Sequence, residues 1–174
     1  REIVELAGVT KPALYYHFGS KEGLLSTILK EGAREFQAAL DRAVECQGRG
    51  TRERLAAVCE AVYGLFEEHL PVVRVCHAMF FGPSAASPDF DFTYFDRALV
   101  RALERVIAEG QASGEVCGAA PGDIALAIMG VIGAVAGGRL HGIPVERDRM
   151  QRVLGLVFDG VLKNGSNGQA AGER

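Results

Sequence analysis

Lys11, Tyr15, Tyr16, His17 and Lys21 fall in one short stretch, and these residue types suit contact with a phosphate backbone and the edges of bases. Tyrosine hydroxyls hydrogen-bond phosphates, and the rings make apolar contact with base edges and thymine methyls. His17 and Lys21 add groups that clamp phosphates. Leu14 and Phe18, four apart, share a face that points into a small core, with Ile3, Leu6 and Val9 opposite. Lys11, Pro12, Tyr15 and Tyr16 are left outside, and two neighbouring tyrosines on a nine-residue helix cannot both be buried. On spacing alone, tyrosines packed against a neighbouring helix fit equally well.

Other chemistries find less support. His69, His77 and His141 could serve as bases, and Cys76 stands beside His77 like a nucleophile beside its partner. Adjacent helical residues do not face each other, so this pair cannot work together. No G-x-S-x-G, H-E-x-x-H or phosphate-loop pattern occurs. Cys76, His77 and His69 are ligand types, but they form no tetrahedral set of recognisable spacing. No catalytic residue, metal or cofactor is therefore expected. Cys46, Cys59, Cys76 and Cys117 form no C-x-x-C pair and read as small hydrophobes in a reducing cytoplasm.

The elements that must position these residues are helices throughout, so the fold class is all-α. Gly8 closes a first short helix. Thr10 caps a second that runs to Phe18, and Gly19 stops it. Ser20 caps a third, from Lys21 to about Ala43. Gly48, Arg49 and Gly50 break the chain, and Thr51 is expected to cap the next helix. Pro71 opens a short helix reaching Phe81, followed by a small-residue loop from Gly82 to Pro88. A long helix from Phe92 should end near Gly110. Asp123–Leu140 and about Glu146–Lys163 are the last two helices, and residues 164–174 read as a flexible tail.

A net charge of −3 excludes a polybasic coat for nucleic acid and leaves room for one small positive face. The longest uncharged apolar run, Ile124 to Gly138, has 15 residues, short of the ~20 a membrane span needs. No secretory signal is visible, and no membrane partner is expected. The opening Arg1-Glu2-Ile3-Val4 reads as the middle of a helix, so a further N-terminal helix is expected to precede it.

The string AGVTKPALYYHFGSKEGLL closely resembles the signature of the TetR family of bacterial transcription factors. Leu14-Tyr15-Tyr16-His17-Phe18 followed by Lys21-Glu22 carries the likeness, which covers about 30 of 174 residues. The resemblance implies an N-terminal helix-turn-helix unit lacking its first helix, with Thr10–Phe18 as the recognition helix. It implies DNA contacts by Thr10, Lys11, Pro12, Ala13, Tyr15, Tyr16, His17 and Lys21. Lys11, Ala13 and Tyr16 would face bases, Pro12 would make apolar contact, and Tyr15, His17 and Lys21 would hold phosphates. Ala13 departs from the polar residue common there, which favours methyl contact over hydrogen-bonded readout. The backbone N–H groups that open the third helix would also favour an anion.

The expected organisation is a DNA-binding domain and connecting helix over residues 1–43, then a helical ligand-binding and dimerisation domain over 44–163. The helix Asp123–Leu140 is apolar all round and carries Gly130, Gly133, Gly137 and Gly138. Met150, Val153, Leu154, Val157, Phe158, Val161 and Leu162 stripe the last helix. By the resemblance, these two helices form a homodimer interface, with Phe158 in it; packing within one chain is the alternative. Six of the nine phenylalanines lie between Phe66 and Phe95. Singly each suits a core. Together they suit an apolar cavity lined by Cys59, Tyr63, Phe66, His77, Phe80, Phe81, Phe95, Leu99 and Met129, with His77 or Tyr63 orienting a ligand. The expected function is a TetR-type regulator, a repressor as most of the family are, that leaves operator DNA on binding a small apolar or aromatic effector. The competing reading is a helical small-molecule-binding protein or enzyme with no role on DNA.

Overall fold

The computed structural model describes residues 2–45, 50–81, 90–143 and 146–161. Its helices are α1 (Glu2–Ala7), α2 (Lys11–Phe18), α3 (Lys21–Val44), α4 (Thr51–Glu68), α5 (Leu70–Phe81), α6 (Thr93–Ser113), α7 (Pro121–Leu140) and α8 (Arg147–Val161). No strand occurs among the described residues. The loop expected from Gly82 to Pro88 and the tail from residue 164 lie outside them.

The core joins α3, α4, α6, α7 and α8. Leu40, Leu55, Val58, Cys59, Leu103, Val106, Ile107, Ile128 and Met150 are sealed from solvent at its centre. The five helices meet because each carries apolar residues at steps of three and four. In α5, no described side chain is fully buried.

Three details differ from expectation. Thr51 does not cap α4. Gly50 holds the N-cap position without a side-chain bond. Instead the buried Thr51 donates its backbone N–H to Oε2 of Glu115 at 2.8 Å. A carboxylate from the loop after α6 thus supplies the anion that a helix start favours. That bond comes first among the contacts holding the Glu115 carboxyl below the usual range, ahead of the Ser113 hydroxyl.

The second difference is that α6 runs on past Gly110 to Ser113, where Gly114 ends it at φ 80°. Gly110 is instead a crossing point. A Cβ there would stand 2.5 Å from Oγ1 of Thr51 and 2.8 Å from a Val116 methyl.

Third, the apolar stripe on α8 divides. Met150, Leu154 and Phe158 point into the core, whereas Val153 faces solvent together with Leu156, which is not part of the stripe. Phe158, 4% exposed, is therefore a core residue of its own chain and not an interface residue.

Arg54 fastens the far end of α3. Its Nε and Nη2 donate to the Val44 carbonyl at 3.2 and 2.9 Å. The same guanidinium meets Glu109 of α6 at 2.7 Å. The side chain satisfies a helix-end carbonyl and ties three helices together.

Candidate nucleic-acid interface and aromatic region

The N-terminal unit is built by its turns. Gly8, at φ 64°, ends α1, with Gly8 N–H bonded to Glu5 O and Val9 N–H to Val4 O. This pair of bonds is the Schellman arrangement, and it needs a residue that tolerates positive φ. Thr10 then caps α2, its hydroxyl accepting from Ala13 N–H at 3.3 Å. Gly19, at φ 71°, ends α2 and donates to the Tyr15 carbonyl. Ser20 opens α3 by accepting from Gly23 N–H at 3.0 Å.

Helix α2 has no fully buried residue. Lys11, Pro12, Tyr15 and Tyr16 are exposed and occupy one arc of the helix. Tyr16 is 86% exposed, so it is free to meet a partner. Leu14 and Phe18 are half-buried on the opposite side; of the residues expected across from them, the side chains of Ile3 and Leu6 lie outside the described residues and Val9 is exposed rather than packed in the small core. Ala13 is half-buried at the flank of the exposed arc. The exposed His17 sets its ring edge-on to Tyr16, with centroids 5.4 Å apart. Lys21 is exposed at the first position of α3.

One feature of this unit extends the sequence reading and a second escapes it. The start of α3 already has anionic company. The Glu22 carboxyl is held below its usual range, first by its own backbone N–H and then by the Ser20 hydroxyl. A phosphate arriving there meets a partly satisfied helix end. Gly23 is the second feature. A Cβ at Gly23 would lie 2.0 Å from the Phe18 carbonyl oxygen. Only glycine lets the first turn of α3 pass this close to the end of α2. The signal was a glycine inside a helix start, where helix propensity argues against it.

The aromatic region separates into parts. Cys59, Tyr63 and Leu99 are buried together in the main core, and Met129 packs against it. Phe95 is half-buried and meets Phe36 of α3 edge-on at 5.2 Å. Tyr94 beside it donates its hydroxyl to Oε1 of Gln37 at 3.2 Å, a second link from α6 to α3. Phe66 is half-buried on α4. His77 is elsewhere, its ring 6.0 Å from that of His141 after α7. The side chains of Phe80 and Phe81 lie outside the described residues. An open hollow on the side of α4 is lined by Glu53, Ala56, Ala57 and Glu60, none of them in the expected lining.

Two of the thiols, Cys59 and Cys76, are shifted away from nucleophilic use. Burial pushes Cys59 up to about 12, with Glu60 adding to the effect. Burial also raises Cys76. A thiolate nucleophile needs the opposite shift.

Residues 1–28 match the family model described as bacterial regulatory proteins, tetR family. No curated protein sequence matches the chain. Among solved structures, a TetR-family transcriptional regulator from Rhodococcus sp. is similar at 23% identity, with TM-score 0.69, over 91% of this chain and 85% of that one. The TetR-family regulator PfmR from Thermus thermophilus is similar at 23% identity, TM-score 0.66, over 95% and 84%. The SmeT–triclosan complex is similar at 21% identity, TM-score 0.59, over 99% and 86%. At these identities the likeness to solved structures is one of fold.

Proposed function

We propose that this member of the TetR family of bacterial regulators binds operator DNA as a homodimer through α2, and leaves it when a small apolar molecule binds the helical domain. The observation that carries the reading is the outward face of α2. Lys11, Pro12, Tyr15 and Tyr16 stand together on a helix capped at both ends, with no fully buried residue of its own. A helix that gives so little to the core is suited to enter a major groove. In this reading Lys11 and Tyr16 set sequence preference, Pro12 and Ala13 make apolar contact, and Thr10 caps the helix close to the DNA. Tyr15, His17 and Lys21 hold phosphates. Residues 1–43 form the DNA-reading part with its connecting rod, and 44–163 the sensing and dimerising part.

The homodimer reading rests on bare apolar surface. Helix α7 buries Ile124, Ala125, Ile128, Ile132 and Val135 on one face. Its other face presents Leu126, Gly130, Gly133 and Ala134 to solvent. On α8, Val153 and Leu156 are exposed beside it, Leu156 at 73%. By length and composition α7 could cross a membrane, and only 22% of its most apolar segment is buried. Because one face already packs in the core, a second copy of α7 and α8 is the fitting cover for the other, as a four-helix bundle. The small residues allow close approach. We place the protein in the cytoplasm, acting as a repressor, as the family pattern has it.

The effector is an apolar or aromatic small molecule held near Phe66, Phe95 and the buried Tyr63. A protein of similar fold is known in complex with a small molecule, triclosan, which supports this reading. Binding measured by fluorescence anisotropy on duplex DNA tests the DNA half. Lys21→Ala should weaken binding to every sequence and lower the salt slope by about one unit. A changed sequence preference with an unchanged slope would remove Lys21 from the phosphate contacts.

A further inference from the structure

Where the end of α4 meets α3, two adjacent ligand-type side chains converge with a third that lies 33 residues earlier in the sequence. Glu35 comes from α3, Glu68 is the last residue of α4, and His69 follows as its C-cap. Their ligand atoms all lie within 4.8 Å of one another. Nε2 of His69 stands 3.2 Å from Oε2 of Glu35. That nitrogen is closed off from solvent, yet it has no hydrogen-bond partner. The contact with Glu35 therefore has the distance of a hydrogen bond without its direction.

Two carboxylates and an imidazole nitrogen at this spacing are all electron-pair donors, so a metal cation between them would be attracted by all three. A metal ion accepts lone pairs radially, so it does not require the donor-to-acceptor line that is missing here. The observed Nε2–Oε2 spacing also fits. Ligands bound at about 2.0 Å in a tetrahedron stand roughly 3.3 Å apart. We propose that Glu35, Glu68 and His69 form a binding site for a divalent transition metal of the zinc class. Three protein ligands leave a fourth position for water, and a mixed oxygen and nitrogen set suits zinc or manganese. The Cys76 thiol takes no part. The site would clip α3 to α4. Its existence does not depend on what α2 binds, because its test needs no DNA.

The backbone of this corner is secured separately, with His69 N–H bonded to Leu65 O and Val73 N–H to His69 O. Side-chain changes there should leave the fold standing. After chelator treatment and removal of any affinity tag, zinc, manganese and calcium are titrated separately against the full-length protein. Thermal melting and calorimetry follow each titration. One zinc per chain is expected, with a rise in Tm of roughly 5–10 °C at a hundredfold excess over Kd. His69→Gln and Glu35→Gln should each weaken zinc by more than about a hundredfold, since losing a mere outer-shell partner costs 10–100-fold. Their metal-free Tm should match that of the wild type. Cys76→Ser should bind zinc normally. Cobalt in place of zinc should show d–d absorption without strong thiolate charge transfer. The proposal is overturned if the wild type shows no metal-dependent shift, if the shift survives in His69→Gln, or if Cys76→Ser abolishes it.

Discussion

Gly23 stands where the first turn of α3 passes the last carbonyl of α2, and it governs how the two helices meet. Any Cβ there would intrude on backbone, which cannot swing aside as a side chain could. Gly23→Ala should therefore displace α2 relative to α3 and weaken DNA binding at every sequence, although alanine is the better helix former. Circular dichroism should show the helix content kept while anisotropy shows affinity lost. Unchanged affinity would mean that the angle between α2 and α3 does not matter to binding. Cys59 tests the core at the same scale. Its thiol rises from 9.0 to about 12 in the folded chain because burial disfavours the thiolate. The group's contribution is fully present below pH 9 and is lost as pH climbs towards 12, by about 4 kcal/mol in total. Urea midpoints of the wild type should fall across that window relative to Cys59→Ala, and iodoacetamide at pH 8 should leave native Cys59 unmodified. Parallel pH profiles for the two proteins would mean the thiol is more accessible than its burial implies. Helical spacing alone left Tyr15 and Tyr16 either outward or packed on a neighbour, and their exposure in the folded chain decides for outward. The Gly23 contact was not legible, because it depends on the angle between two helices.

Helix ends show the same division. Thr10, Gly19 and Ser20 act on neighbours within a few residues, so their capping roles can be read directly along the chain. The start of α4 cannot be read this way, since its anion comes from Glu115, 64 residues on. The glycines inside helices likewise need the structure to be sorted. At Gly32 on α3, nothing within 4 Å would meet a Cβ, whereas at Gly110 the Thr51 side chain stands at 2.5 Å. Gly32→Ala should stabilise by about 0.5–1 kcal/mol through backbone entropy. Gly110→Ala gains the same term and loses about 1–3 kcal/mol to overpacking, so the net sign reverses. Chemical denaturation of the two variants checks this. A stabilised Gly110→Ala would mean that α4 can slide away from α6 at little cost. The Glu35, Glu68 and His69 cluster belongs here too, since only the packing of α3 on α4 brings it together.

For the whole molecule, the unbroken apolar run of α7 and the apolar stripe of α8 made both helices legible, but not which face each gives to its own core. Phe158 and Leu156 separate the two roles. Phe158→Glu puts a charge in the core of one chain and should unfold it, at a cost of several kcal/mol. Leu156→Glu touches an exposed position and should change chain stability by less than about 0.5 kcal/mol. Sedimentation should nonetheless show Leu156→Glu as a folded monomer. A dimer that survives this change would place the interface away from α8. If the protein acts as the proposed ligand-released dimer, signalling has one long route available. Helix α3 begins at Lys21 beside the end of α2 and is fixed at its far end by Arg54, while Phe36 and Gln37 midway along it contact α6. A ligand that tilts this rod would change the separation of the two recognition helices, which must be about 34–36 Å to enter successive grooves. Such a ligand works only by binding one arrangement better than the other, and the coupling is reciprocal. The most direct test is to select binding sites from a pool of random duplexes with the full-length protein. The enriched DNA should be a two-fold symmetric site with half-sites about one helical turn apart, and Tyr16→Ala should lose that enrichment. Recovery of no preferred sequence, or of the same site by Tyr16→Ala, would contradict the reading of α2 as the helix that recognises DNA.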